Sequence, residues 1–181
     1  MKKLPAEVVA SALAVTTIPI SMLPLHLPPW AIFISWAATF AMGGPSAKNL
    51  KRIWPTLPVG SFFAFLIILG FDYAATQFSG NTLLLAQMAI LFTLNGLMMA
   101  LARQFVMFNF IPGMFFGFAT YFGTLFGGFG PVAHNPLMAL FAAIAMNALG
   151  PAYAWVKERY SAPEVTTHRW WKGWKPEVET E

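Results

Sequence analysis

The chain has 181 residues, of which 57% are hydrophobic and only 10% charged, with 14 glycines, 14 prolines and no cysteine. That balance is far from a soluble globular domain and reads as an all-α integral membrane protein, while the missing cysteine excludes disulfides, thiolate metal sites and cysteine nucleophiles. The net charge of +4 is arranged as a membrane topology signal and gives no support to a nucleic-acid partner.

Six apolar runs approach the roughly 20 residues needed to cross a bilayer, separated by short loops rich in Pro, Gly and Asn. The first, about 5–23, follows Lys2 and Lys3 but is too long and lacks the cleavage site of a signal peptide, so it is expected to stay as a helix. Glu7 stands in its first turn, where a negative charge suits the helix dipole. The second run, 29–42, starts at LPPW, carries Ser35 and Thr39, and leads into GPSAKN at 44–49. The third, 54–77, contains Ser61 and ends near Asp72, an interfacial charge. Asn95 lies in the fourth, 82–102. The fifth, 107–126, opens on NFIPG, holds Gly113 and Gly117 in the GxxxG sequence GMFFG, continues to Tyr121, and leads into GPVAHN at 130–135. The sixth, 136–156, carries Asn147. Residues 1–156 therefore form one transmembrane domain. Residues 157–181 form a basic, Trp-rich tail in which Trp170, Trp171 and Trp174 alternate with Arg169, Lys172 and Lys175, a pattern suited to anchoring in the headgroup region.

With the N-terminus inside, six crossings put all 11 Lys and Arg residues on the cytoplasmic side. Both termini are then cytoplasmic, and His26, Asp72 and His134 lie outside. GPSAKN follows the second helix on the inside and GPVAHN follows the fifth on the outside, so the two copies face opposite ways. Extending the match backwards pairs FISWAATF (33–40) with FFGFATYF (115–122) at an offset of 82, against 86 for the hexapeptides, a four-residue insertion. A unit of three helices is inverted when duplicated, so the expected architecture is two inverted three-helix repeats, about 5–78 and 82–156, as in many channels and transporters. The lysine in one hexapeptide and the histidine in the other then follow the positive-inside rule.

The matched helices also repeat their faces. Ala31, Ser35 and Ala38 form a small-residue stripe answered by Gly113, Gly117 and Thr120, and the bulky Phe33, Trp36 and Phe40 are answered by Phe115, Phe118 and Phe122. Small stripes let membrane helices approach closely, so the second and fifth helices are expected to pack on each other near the pseudo-two-fold axis.

The pair WAIFISWAATFAMGG and FIPGMFFGFATYFG resembles the two signature segments of a small bacterial inner-membrane family catalogued as a domain of unknown function, numbered one thousand and ninety-seven. The likeness covers roughly 5–156 and is most specific at Phe110, Ile111, Pro112, Gly113, Phe115 and Gly117; the tail and the basic loop near Lys51 fall outside it. It implies a multi-pass protein of the bacterial inner membrane and brings no substrate.

Catalytic chemistry finds little support: no paired carboxylates, no phosphate loop, and His26 and His134 without a nearby third metal ligand. The chain reads as a non-enzyme, and no cofactor is implied. The residues that remain inside the spans are neutral: Ser35, Thr39, Ser61, Asn95, Gly113, Gly117, Tyr121 and Asn147 mark a helix seam or a narrow solute path. Two readings stay open, a channel or simple transporter for a small neutral solute and a non-transporting membrane subunit whose tail recruits a partner. The partners implied are the bilayer, such a solute, and further copies of the chain in a homo-oligomer.

Overall fold

The computed structural model describes residues 3–162. Among them, six α-helices follow in order: α1 (Ala6–Ser21), α2 (Trp30–Ala41), α3 (Ala47–Gln77), α4 (Gly80–Gln104), α5 (Ile111–Phe126) and α6 (Pro136–Tyr160). A single 3-10 turn at Val106–Phe108 precedes α5. The described residues form no sheet, only one parallel bridge between Leu4 and Ser161. Helices α3, α4 and α6 are long and apolar enough to cross a membrane, whereas α1, α2 and α5 are shorter apolar helices. At 12 residues, α2 is only about 18 Å long, against about 46 Å for the 31 residues of α3.

Five of the six expected spans lie within a few residues of a helix; the third begins earlier than expected. The span expected from Trp54 left Lys48, Lys51 and Arg52 in the preceding loop, yet α3 takes in all three and runs on through Pro55 and Pro58. The cap explains the difference. The Ser46 hydroxyl accepts the Asn49 N–H at 3.2 Å, and the Asn49 amide donates to the carbonyls of Met42 (3.0 Å) and Gly44 (2.9 Å), tying the start of α3 to the end of α2. In the second hexapeptide the cap moves three residues on: Asn135 accepts the Met138 N–H at 3.0 Å, with Pro136 in the first turn.

Gly44 and Gly130 both occupy left-handed backbone, at φ +91° and +112°. The copies then diverge, because His134 adopts φ +57° while Lys48 is already helical. Histidine is among the residues enriched in that conformation, a reason for His134 additional to charge. Asn135→Ala should cost about 1 kcal/mol through loss of the cap, read as a lowered unfolding midpoint in detergent, with α6 otherwise intact.

Packing is organised as an exchange. Along α3 and α5 the contacts run Arg52 to Asn109, Thr56 to Gly113, Ser61 to Gly117 and Phe65 to Tyr121, numbers rising together, so the helices are parallel. Helices α2 and α6 are parallel by the same criterion: Ile32 packs with Met146, Ser35 with Gly150, Trp36 with Tyr153, and Phe40 under Lys157. The expected mutual packing of the second and fifth helices is thereby corrected. They touch, but each lays its small-residue stripe chiefly on the long helix of the other half. The stripes themselves are buried as expected, while Phe33 and Phe115 are exposed to the same degree, 40% and 41%. Helix α4 leans on α3 and buries only Met98 and Ala102; α1 leans on α6, where Thr16 and Tyr153 share a hydrogen bond of 2.6 Å.

Candidate functional site

Two close crossings define the centre. A methyl group at Gly117 would collide with the Leu57 carbonyl, and one at Gly60 with the Met114 carbonyl, so α3 and α5 meet backbone to backbone. A methyl at Gly150 would strike the Ser35 hydroxyl and the backbone of Ile32 and Trp36, so α2 and α6 meet in the same way. These contacts correspond. Ile32 and Met114 are 82 residues apart, and the glycines facing their carbonyls, Gly150 and Gly60, are 90 apart. Gly60 and Gly150 escaped the sequence reading, although a glycine inside a helical pattern is a known sign of close approach.

The polar residues lie along these crossings. Ser35 is fully buried and its hydroxyl is placed 3.0 and 3.1 Å from the carbonyls of Ala31 and Ile32; the Thr39 hydroxyl donates to Ser35 at 2.8 Å. The Ser61 hydroxyl crosses to the Gly117 carbonyl at 2.8 Å, joining α3 to α5. Gly113 lies beside Thr56, and a methyl there would collide with Phe110. Tyr121 donates to the Pro136 carbonyl at 3.3 Å across the α5–α6 turn. Asn95 stands apart: it is half-buried on α4, and its partner is Met99 of the same helix, at 3.9 Å. Thr124, which sequence reasoning passed over, donates to the Thr120 carbonyl at 2.7 Å and adds a further buried hydroxyl to α5.

Asn147 is the exception to this self-sufficiency. It is fully buried on α6, and its Oδ1 faces the Thr120 hydroxyl at 3.2 Å, while its Nδ2 has no hydrogen-bond partner. The Thr120 hydroxyl also faces the Phe116 carbonyl at 2.8 Å. An amide has two polar ends, and with one hydroxyl neighbour the second end stays unpaired whichever way the group is turned. A second buried donor, Trp36 Nε1, is likewise without a partner on the α2–α6 seam. Each such group costs about 1–3 kcal/mol if it stays unsatisfied, so a buried unpaired polar atom calls for an occupant or a role.

Elsewhere the site chemistry is thin. Asp72 is exposed, and Glu7 sits in the first turn of α1. The two histidine loops meet through the Gly130 N–H, which donates to the His26 carbonyl at 2.9 Å, and His134 Nδ1 lies 3.1 Å from the Leu125 carbonyl. Among the described residues, no group of three or more His, Asp or Glu side chains could hold a metal ion. The expected anchor of Trp170, Trp171 and Trp174 lies outside the described residues.

No curated protein and no solved structure matches this chain. One family does, over residues 7–162, which takes in all six helices and both crossings. That span includes α2 and α5, whose small residues meet the long helices, and the chain belongs to the family described as protein of unknown function (DUF1097).

Proposed function

We propose that the protein is an integral membrane protein of the bacterial inner membrane that passes a small neutral solute between two inverted three-helix units. The observation that carries this is the unpaired Asn147 amide on the central seam. Its Nδ2 and the Trp36 indole both offer N–H donors, which suits a solute with an acceptor oxygen such as water, urea or a short amide. Among the described residues, the groups that meet at Gly60, Gly117 and Gly150 are neutral, which supports a neutral cargo; the charged Arg52, whose buried Nε is also unpaired, stands away from these glycines at the start of α3, beside Asn109. What supports the inverted arrangement is the exchange of packing partners: swapping α1–α3 for α4–α6 turns the α3–α5 pair into α6–α2 and the α3–α4 pair into α6–α1. Short helices at corresponding places in two halves are a further sign of a transport fold.

Reconstituted protein should accelerate uptake of at least one of urea, short amides, alcohols or water, followed by light scattering of proteoliposomes. Fluxes no faster than those of empty liposomes for all of them would refute transport. A second reading has its own support. Most of the buried hydroxyls bond to their own helices or close a packing seam, as expected of a scaffold that recruits a partner. Neither reading requires catalysis.

The topology has a separate test. With both termini cytoplasmic, an impermeant thiol reagent applied to intact cells should label His134→Cys and spare Lys51→Cys. Labelling of Lys51→Cys alone would reverse the orientation.

A further inference from the structure

Where α6 ends, the N-terminal segment is pinned to it. The Leu4 N–H donates to the Tyr160 carbonyl at 3.1 Å and the Ala162 N–H donates to the Leu4 carbonyl at 2.7 Å. This bridge sets Lys3 beside the last turns of α6, where Lys3, Trp155, Glu158 and Arg159, with Pro45 of the α2–α3 loop, line a cavity of about 270 Å³. Among the described residues, the side chains of Lys3, Glu158 and Arg159 form neither an ion pair nor a hydrogen bond. Lys157, next in the chain, is turned away over the Phe40 ring.

Two cations and one carboxylate lining a single cavity without closing on one another leave room for a ligand that carries both signs. We infer that this cavity holds the headgroup of an aminophospholipid, its phosphodiester between Lys3 and Arg159 and its ammonium donating to Glu158. The inference rests on the membrane reading above, which puts this end of α6 at the cytoplasmic interface. There Trp155, half exposed, is a residue type favoured at headgroup depth. A free phosphoethanolamine would offer the same charges. The lipid is the better occupant because Trp155, half exposed, lines the cavity itself, and the exposed Leu4 and Tyr160 follow the lining residues Lys3 and Arg159 in the chain, apolar surface that an acyl chain can use and a free headgroup cannot. Basic residues near a membrane surface attract phospholipid, but basic residues alone would favour an anionic lipid; Glu158 is what turns the preference to a zwitterion.

The test is native mass spectrometry of the detergent-purified protein against an equal mixture of phosphatidylethanolamine, phosphatidylcholine and phosphatidylglycerol with matched chains. Phosphatidylethanolamine adducts should dominate. Glu158→Gln should remove the preference over phosphatidylglycerol, and Lys3→Ala or Arg159→Ala should each weaken every adduct about five-fold, the effect of losing roughly one surface cation. Soluble glycerophosphoethanolamine at equal concentration should fail to displace the lipid. Equal retention of the three lipids, an unchanged preference in Glu158→Gln, or displacement by the soluble headgroup would each overturn the site. Failure of the membrane reading itself would look different: the protein would remain soluble without detergent.

Discussion

Gly117→Leu should prevent the protein from reaching its native packing, with a loss exceeding about 3 kcal/mol, the upper end of the cost of overpacking. The reason is the identity of the neighbour. A Cβ at this position meets the Leu57 carbonyl group, and backbone cannot swing aside as a flexible side chain can. The same change also pushes α5 away from the Ser61 hydroxyl, which bonds the Gly117 carbonyl, so the α3–α5 seam loses its polar link along with its close approach. Gly60→Leu should behave alike, since its Cβ meets the Met114 carbonyl of the same crossing. Gly96→Leu provides the control. Nothing lies within 4 Å of a Cβ there, and leucine favours a helix over glycine by up to about 1 kcal/mol, so its stability should hold or rise. Unfolding by denaturant in micelles, with size exclusion to detect misassembly, separates these outcomes. A Gly117→Leu protein as stable as the parent would mean that α3 and α5 do not cross at this point.

Much of this could be read from the residues, and what escaped did so for identifiable reasons. Helix positions followed from apolar length, and the buried stripes of α2 and α5 followed from the alternation of small and bulky residues along matched segments. The start of α3 was missed because apolar length alone begins the span at Trp54, after the basic Lys48, Lys51 and Arg52, whereas the Ser46 cap and the Asn49 links to α2 start the helix before them. The partner of each small stripe was missed for a different reason. Two complementary small faces suggest mutual packing, and only the glycines on the long helices, Gly60 and Gly150, reveal that each stripe has a closer counterpart elsewhere.

The proposed duplication also acquires a register that the letters alone do not have. The α2 and α5 segments align at 82, the hexapeptides at 86, and the crossing glycines at 90. Each step is four residues, close to the 3.6 of one helical turn, so insertions of that size extend a helix or loop while returning side chains to nearly the same face. Ser61 and Asn147, related by 86, consequently do not do the same work: Ser61 closes the α3–α5 seam, whereas Asn147 leaves a donor open beside α5. On the transport reading, Asn147 of the second half and Trp36 of the first offer the open donors, while Ser61 supplies packing.

Asn147→Leu distinguishes the two readings most sharply, because they differ in the direction of its effect on stability. If the amide were packing glue, removing it would cost roughly 0.6–1.7 kcal/mol, the range for hydrogen bonds between membrane helices. The geometry argues otherwise. The bond lost is the one shared with Thr120, whose hydroxyl keeps the Phe116 carbonyl 2.8 Å away, whereas the polar end removed has no protein partner at all. Relief of a buried unsatisfied group is worth about 1–3 kcal/mol, enough to offset the lost bond, and leucine is close to asparagine in size. The variant should therefore unfold at the same denaturant concentration as the parent or a higher one. On the transport reading, its flux of small neutral solutes into proteoliposomes should fall by at least ten-fold, since a desolvated solute oxygen would lose a donor worth about 1.5 kcal/mol or more. Retained stability with reduced flux supports a path beside Asn147. A destabilised variant whose parent conducts nothing would assign the amide to packing and the protein to the scaffold reading.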